Sequence, residues 1–87
     1  MNIENRAIKV YLKSLAPNEL LALLDKYNIP PPYKEILITV CLYNKTGFAG
    51  VDFLADKYNI HLSYWTFVRR VKEALNVFRT AHRYNCQ

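Results

Sequence analysis

The feature that most constrains the fold is the spacing of the apolar residues, which recur at intervals of three and four rather than in alternation. Such intervals place side chains on one face of an α-helix, whereas strict alternation is typical of a half-buried strand. The chain has 87 residues, of which 52% are hydrophobic and only two are glycine. That length suffices for one modest core. We therefore expect a single all-α domain over residues 1–87, a compact bundle of about five helices.

Local signals give approximate helix limits. Pro17 suits a first helical position, because a proline lacks the N–H that would be unpaired there. Ser63 is a good N-cap for the last helix. The expected helices cover about residues 3–15, 17–28, 32–44, 49–58 and 63–82.

One five-residue segment occurs twice, at Asp25–Ile29 and again at Asp56–Ile60. Its asparagine tolerates the left-handed backbone conformation that closes a helix, and the following isoleucine can pack back on the last turn. We interpret the two copies as the same helix-ending device. Two short copies are too few to indicate a repeat architecture.

Positive charge is concentrated in the C-terminal third. Residues 1–60 carry seven basic and six acidic side chains, whereas residues 61–87 carry five basic and one acidic, within an overall net charge of +5. A basic third on a nearly neutral body favours a polyanionic partner. The alternative is a solvated basic helix face, and the same choice applies to Arg6, Lys9 and Lys13 in the first helix.

Other classes of function find no support. Cys41 and Cys86 do not have the spacing of metal ligands, His61 and His82 have no evident nucleophile or metal partner, and there is no glycine-rich phosphate loop. We therefore expect neither an enzyme nor a bound metal or cofactor. The longest apolar run, residues 36–43, is too short to cross a bilayer. We expect a cytoplasmic protein without a membrane partner.

Four segments together resemble the helix-turn-helix domains of sigma-factor region 4 and of response-regulator effector domains. They are a proline-containing lead-in, a turn with glycine, a short helix with an internal alanine and a final helix: residues 31–37, 42–48, 53–55 and 63–71. The resemblance implies a helix-turn-helix over about residues 49–83, without a β-wing, supported by the helices of residues 3–45. It also implies that the final helix enters the DNA major groove.

The turn before that helix can be aligned in two ways. Without gaps, the apolar sites of the family fall on Leu54, Tyr58, Ile60, Trp65 and Val68. A turn two residues longer places Phe67 and Val71 inward and Trp65 outward, and the apolar stripe of the last helix favours this alternative slightly.

Thr66, Arg69 and Arg70 face mostly away from the core in both alignments, and they are the first DNA contacts we expect. Either arginine could donate two hydrogen bonds to a guanine edge or contact phosphate alone. The other candidates could contact a phosphate, a base edge or a thymine methyl group. The alternative for each is an ordinary structural role, as a helix cap, a core residue or a solvated side chain. These candidates are Ser63, Tyr64, Trp65, His61, Lys72, Lys57 and Lys45.

The leading hypothesis is a small sequence-specific DNA-binding transcriptional regulator, of a size typical of phage- or plasmid-encoded proteins. A lone recognition helix buries little surface, so we expect a homodimer that reads two half-sites of duplex DNA. The main alternative is a helical protein-interaction module that acts as an adaptor or inhibitor of an RNA polymerase subunit or another regulator. A third possibility is nonspecific binding of single-stranded nucleic acid.

Overall fold

The computed structural model describes residues 3–85, which form five α-helices and no strand. The helices are α1 (Ile3–Ser14), α2 (Pro17–Lys26), α3 (Tyr33–Leu37), α4 (Gly47–Tyr58) and α5 (Tyr64–Asn85). The expected all-α bundle is confirmed, and each helix begins and ends close to the predicted limits, except in the third. None of these helices combines the length with the apolar composition that a bilayer span requires. Cys86 lies outside the described residues.

The third helix is the centre of the core, as its apolar pattern indicates, but it is not one regular α-helix. After Leu37 it continues as a π-helical segment, Ile38–Leu42, in which the Tyr43 amide donates to the Ile38 carbonyl at 3.2 Å. The Thr39 hydroxyl donates to the Glu35 carbonyl at 2.8 Å, a contact that disturbs a regular helix. All six residues from Ile36 to Cys41 are buried. Both helix types keep these side chains inside, so the apolar spacing could not distinguish them.

Asparagine at positive φ ends three of the helical segments. Asn28 has φ 53°, Asn44 has φ 55° and Asn59 has φ 56°. In the two copies of the five-residue segment, the isoleucine amide donates to a leucine carbonyl in the last turns of the helix, Ile29 to Leu24 at 3.2 Å and Ile60 to Leu54 at 3.1 Å. The helix-ending role inferred from the sequence is confirmed.

The junction of α4 and α5 resolves which aromatic faces inward. Residues 59–63 connect the two helices, and the Ser63 Oγ accepts a hydrogen bond from the Thr66 amide at 3.3 Å, as an N-cap does. Phe67 is 2% exposed, whereas Trp65 is 78% exposed. A Cβ atom at Gly50 would overlap with the ring of Phe67, so glycine is what allows α4 and α5 to approach there. Phe67 and Val71 thus face inward and Trp65 faces outward, the orientation that the longer turn predicted.

Candidate nucleic-acid interface

The outer face of α5 is exposed along its whole length. Phe67, Val71 and Phe78 point into the core, and the residues on the opposite face, spaced by three or four, are all exposed. This outer face consists of Trp65, Arg69, Lys72, Asn76, Thr80 and Arg83. At 1.5 Å per residue it is about 27 Å long. It is basic and polar, with one large aromatic ring at its N-terminal end.

Arg69 and Lys72 carry positive charges that no carboxylate of residues 3–85 neutralises by ion pairing. Both side chains are exposed. The charge of Arg69 contributes to lowering the pKa of Glu73, but it is the smallest of several causes. These two cations are therefore available to an anionic partner.

Arg70, which the sequence analysis treated as equivalent to Arg69, has a different environment. Its guanidinium donates to Glu73 Oε2 at 2.7 Å, and the Tyr33 hydroxyl donates to the same oxygen at 3.1 Å. The hydrogen bond to Glu73 raises the pKa of Arg70, and the same bond lowers the pKa of Glu73. Arg70 is half-buried and its charge is balanced by Glu73 within α5, and the same carboxylate bonds to Tyr33 of α3.

The hydroxyls of Ser63 and Thr66 are occupied by the helix cap. Ser63 Oγ donates to Thr66 Oγ1 at 2.9 Å while accepting from the Thr66 amide. Ser63 is exposed and Thr66 is half-buried. Each hydroxyl oxygen keeps a lone pair that could accept a hydrogen bond from a ligand.

The aromatic residues at the start of α5 extend to α4. The ring of Tyr64 is half-buried between Phe48 and Trp65, with ring centroids 4.7 Å and 5.0 Å away. Phe48 is 72% exposed. Phe48 is not among the residues predicted from the sequence, because its position directly after Gly47 gives no sign of which way the ring points.

Three of the candidate residues precede α5 and are not part of its outer face: Lys45, Lys57 and His61. The Lys57 ammonium lies 5.1 Å from the ring centroid of Tyr43 and under 6 Å from those of two other rings. The His61 ring is 2.7 Å from Asn59 Oδ1. Lys45 is exposed in the loop before α4. The hydrogen bonds and ring contacts of Lys57 and His61 are all with residues 43–59, so neither side chain is held against the outer face of α5.

A lysine of the first helix joins the basic surface instead. Lys9 and Lys72 line a pocket of about 160 Å³ between α1, the π-helical segment and α5. The remaining lining is largely apolar, and it includes Val68 and Val71. Lys9, one of the three basic residues of α1 named above, therefore lines the same pocket as Lys72 of α5.

Two other regions limit the basic surface. At the C-terminal end of α5, Arg79 and Arg83 contact Glu4 of α1 at 2.6 Å and 3.5 Å. On α4, Asp52 and Asp56 are both exposed. Because Glu4 partly neutralises Arg79 and Arg83, the positive charge of α5 that lacks an ion pair lies in its N-terminal half.

Residues 3–85 contain no group of three or more histidine, cysteine or acidic side chains that could hold a metal ion. Cys41 is buried, and burial raises the pKa of its thiol to about 11, which makes it a weak nucleophile at neutral pH. No protein-family model, curated protein or solved structure matches the chain. Its function has to be argued from the geometry of α5.

Proposed function

We propose that the protein binds double-stranded DNA through the N-terminal half of α5 and acts as a small transcriptional regulator of the helix-turn-helix type. The observation that carries this proposal is the exposure of Arg69 and Lys72, without acidic partners in residues 3–85, on the outer face of α5, which has exposed Trp65 in its first turn. Exposed cations in one row on a helix are the usual electrostatic contribution to DNA affinity.

The dimensions of α5 support insertion into the major groove. An α-helix with its side chains is about 10–12 Å across, and the major groove is about 12 Å wide. α4 packs on the inner side of α5 through Gly50 and Phe67, which leaves the outer side open. Two consecutive helices in which the first braces the second are what a helix-turn-helix requires.

The side chains divide into base-reading and phosphate-binding groups. Arg69, whose guanidinium is exposed, could donate two hydrogen bonds to a guanine edge. Lys72 and Lys9, adjacent across the α1–α5 pocket, suit one strand of phosphates. Arg70 contributes less than Arg69, because releasing it for DNA would leave Glu73 without its ion-pair partner.

A second copy of the chain would provide the second half-site. Val77, Thr80 and Ala81 line a shallow, mainly apolar depression on the C-terminal half of α5, and Tyr84 is 78% exposed nearby in the sequence. We propose this region as the dimer contact, with half-sites about one DNA turn apart. Sedimentation that shows only monomers at high protein concentration would contradict it.

The test is binding to a pool of random duplexes at two salt concentrations. DNA affinity should fall steeply as salt rises, since each phosphate contact releases counterions. Arg69→Ala should weaken binding more than Arg70→Ala does. The proposal fails if no duplex binds even at low salt, or if the arginine variants rank in the opposite order.

The exposed rings of Trp65 and Phe48 favour one other function, a contact with a protein. Tryptophan beside arginine is a frequent centre of protein interfaces. Such an interface, held by aromatic burial, should weaken little between low and moderate salt, so the same salt series separates it from DNA binding.

A further inference from the structure

Three aromatic side chains form a continuous row at one end of the proposed DNA surface. We define the aromatic row as Phe48, Tyr64 and Trp65. The Phe48 and Tyr64 rings are inclined by 35°, and the Trp65 ring stands nearly perpendicular to Tyr64 at 88°. The half-buried Tyr64 holds the two outer rings in place, and these are more than two-thirds exposed.

The row lies outside the core that holds α4 to α5. That contact is made by Phe67 against Gly50 on the inner side of α5, and Leu54 completes it from α4. Large exposed rings at a position where packing does not need them indicate a binding surface. Arg69 follows Trp65 by one helical turn, so the row continues directly into the unpaired positive charge.

Paired DNA offers little to such rings. In a duplex the flat faces of the bases are covered by their neighbours, and a groove displays only base edges and thymine methyl groups. Unpaired bases expose both faces and stack on aromatic side chains, while cations follow the backbone. A row of rings that leads into Arg69 and Lys72 has both of these features.

We propose that the aromatic row stacks unpaired bases, so that the preferred ligand is duplex DNA with a short unpaired stretch beside the segment that α5 holds. This inference rests on the proposed DNA binding and specifies its substrate. The exposed faces of Phe48 and Trp65 each take a base, and Arg69 contacts the phosphates between the unpaired and the paired parts.

Trp65 is the only tryptophan of the chain, so its fluorescence reports directly on stacking at this position. The experiment titrates the full chain with a duplex, with the same duplex carrying a short mismatched bubble, and with one of its strands alone. We expect the bubble to quench Trp65 and to bind roughly tenfold more tightly than the duplex, in line with the effect of one or two stacked bases.

Substitutions in the aromatic row test whether these rings cause the preference for the bubble over the duplex. Phe48→Ala should reduce the preference for the bubble several-fold and leave duplex affinity nearly unchanged. Trp65→Leu, followed by the anisotropy of labelled DNA, should also lower the ratio of bubble affinity to duplex affinity several-fold, with circular dichroism to verify that the helices are intact. Tyr43→Ala is the matched control, since Tyr43 is also an exposed aromatic residue and its ring pairs with Phe53 rather than with the aromatic row.

The outcomes separate this inference from the proposed function. Equal affinity for duplex and bubble overturns the stacking inference, whether or not the fluorescence changes, and leaves duplex binding intact. Binding to the single strand but not to the duplex supports stacking and overturns the proposed duplex regulator. Failure to bind any of the three DNAs overturns both.

Discussion

The two halves of α5 are equally basic in sequence but differ in what their cations contact. Residues 64–74 and residues 75–85 each carry two net positive charges. In the N-terminal half, Arg69 and Lys72 have no ion-pair partner in residues 3–85. In the C-terminal half, Arg79 and Arg83 both contact Glu4. The same charge is available to a partner at one end and is partly neutralised by α1 at the other.

Aromatic residues show the same division. In the C-terminal half the Phe78 and His82 rings stack at 5.8 Å, and the Tyr27 hydroxyl is 2.8 Å from His82 Nδ1, so these rings hold α5 to α2. In the N-terminal half the ring of Trp65 contacts only its neighbour Tyr64 among the ring pairs of residues 3–85. The C-terminal half of α5 is therefore anchored to α2, whereas the outer face of the N-terminal half is exposed to a partner.

The largest effect, on stability, should come from removing Phe67, the buried ring that holds the N-terminal half of α5 against α4. Phe67→Ala should lower the free energy of unfolding by about 3–5 kcal/mol, because it removes a fully buried ring from the α4–α5 contact. Trp65→Ala, two residues away and exposed, should change it by no more than about 0.5 kcal/mol. Denaturant unfolding followed by circular dichroism measures both. Similar losses for the two variants would contradict the orientation of α5 described above.

The next largest effect concerns DNA affinity. Arg69→Ala should weaken duplex binding by about 1–3 kcal/mol if its guanidinium reads a guanine. Arg79→Ala removes the same charge from the anchored half and should have a much smaller effect, because Glu4 already pairs with Arg79. Fluorescence anisotropy at one low salt concentration compares them. Equal weakening would mean that total charge, and not its location on α5, determines binding.

A smaller effect tests the neutralising role of Glu4. Glu4→Gln should cost about 0.2–1 kcal/mol of stability, as is usual for an exposed ion pair. It should also raise nonspecific DNA affinity and steepen its salt dependence, since Arg79 and Arg83 are released. Glu19→Gln is the control, because it makes the same change of charge at an exposed site without an ion pair to residues 3–85. An equal rise in affinity for both variants would argue against a specific role of Glu4.

The smallest effect is a pH dependence in the contact between α5 and α3. The hydrogen bond from Arg70 is the main cause that lowers the pKa of Glu73 below its ordinary value of 4.5. The stabilisation by ionised Glu73 is therefore fully present above that ordinary value and is lost as the pH falls through the lower pKa of the folded state. Glu73→Gln should flatten the stability profile in this acidic range. An unchanged profile would show that the pair contributes nothing measurable.

Helix limits could be predicted because their signals are local. Asn28 and Asn59 end α2 and α4 through a conformation that asparagine tolerates better than most residues. Ser63 caps α5 through a hydrogen bond within its first turn. The π-helical segment could not be predicted in the same way, since both helix types bury the same residues from Ile36 to Cys41.

The site could be predicted only in part, because its details depend on residues distant in the chain. The sequence indicated that Arg69 and Arg70 lie on an outer surface, but Arg70 pairs with Glu73, whose carboxylate also accepts a hydrogen bond from Tyr33, 40 positions away. The inward position of Phe67 depends on the missing side chain of Gly50. The neutralisation of Arg79 depends on Glu4. The contacts that Tyr33, Gly50 and Glu4 make with α5 have no signature in the spacing of apolar or charged residues.

The most direct test of the central claim is a titration of the isotope-labelled chain with duplex DNA, followed by the amide resonances along α5 and the indole N–H of Trp65. We predict progressive shifts at Trp65, Arg69 and Lys72, with Arg79 and Arg83 nearly unchanged. Shifts confined to Arg79 and Arg83, or no shifts at low salt, would contradict the assignment of the N-terminal half of α5 as the DNA-binding surface.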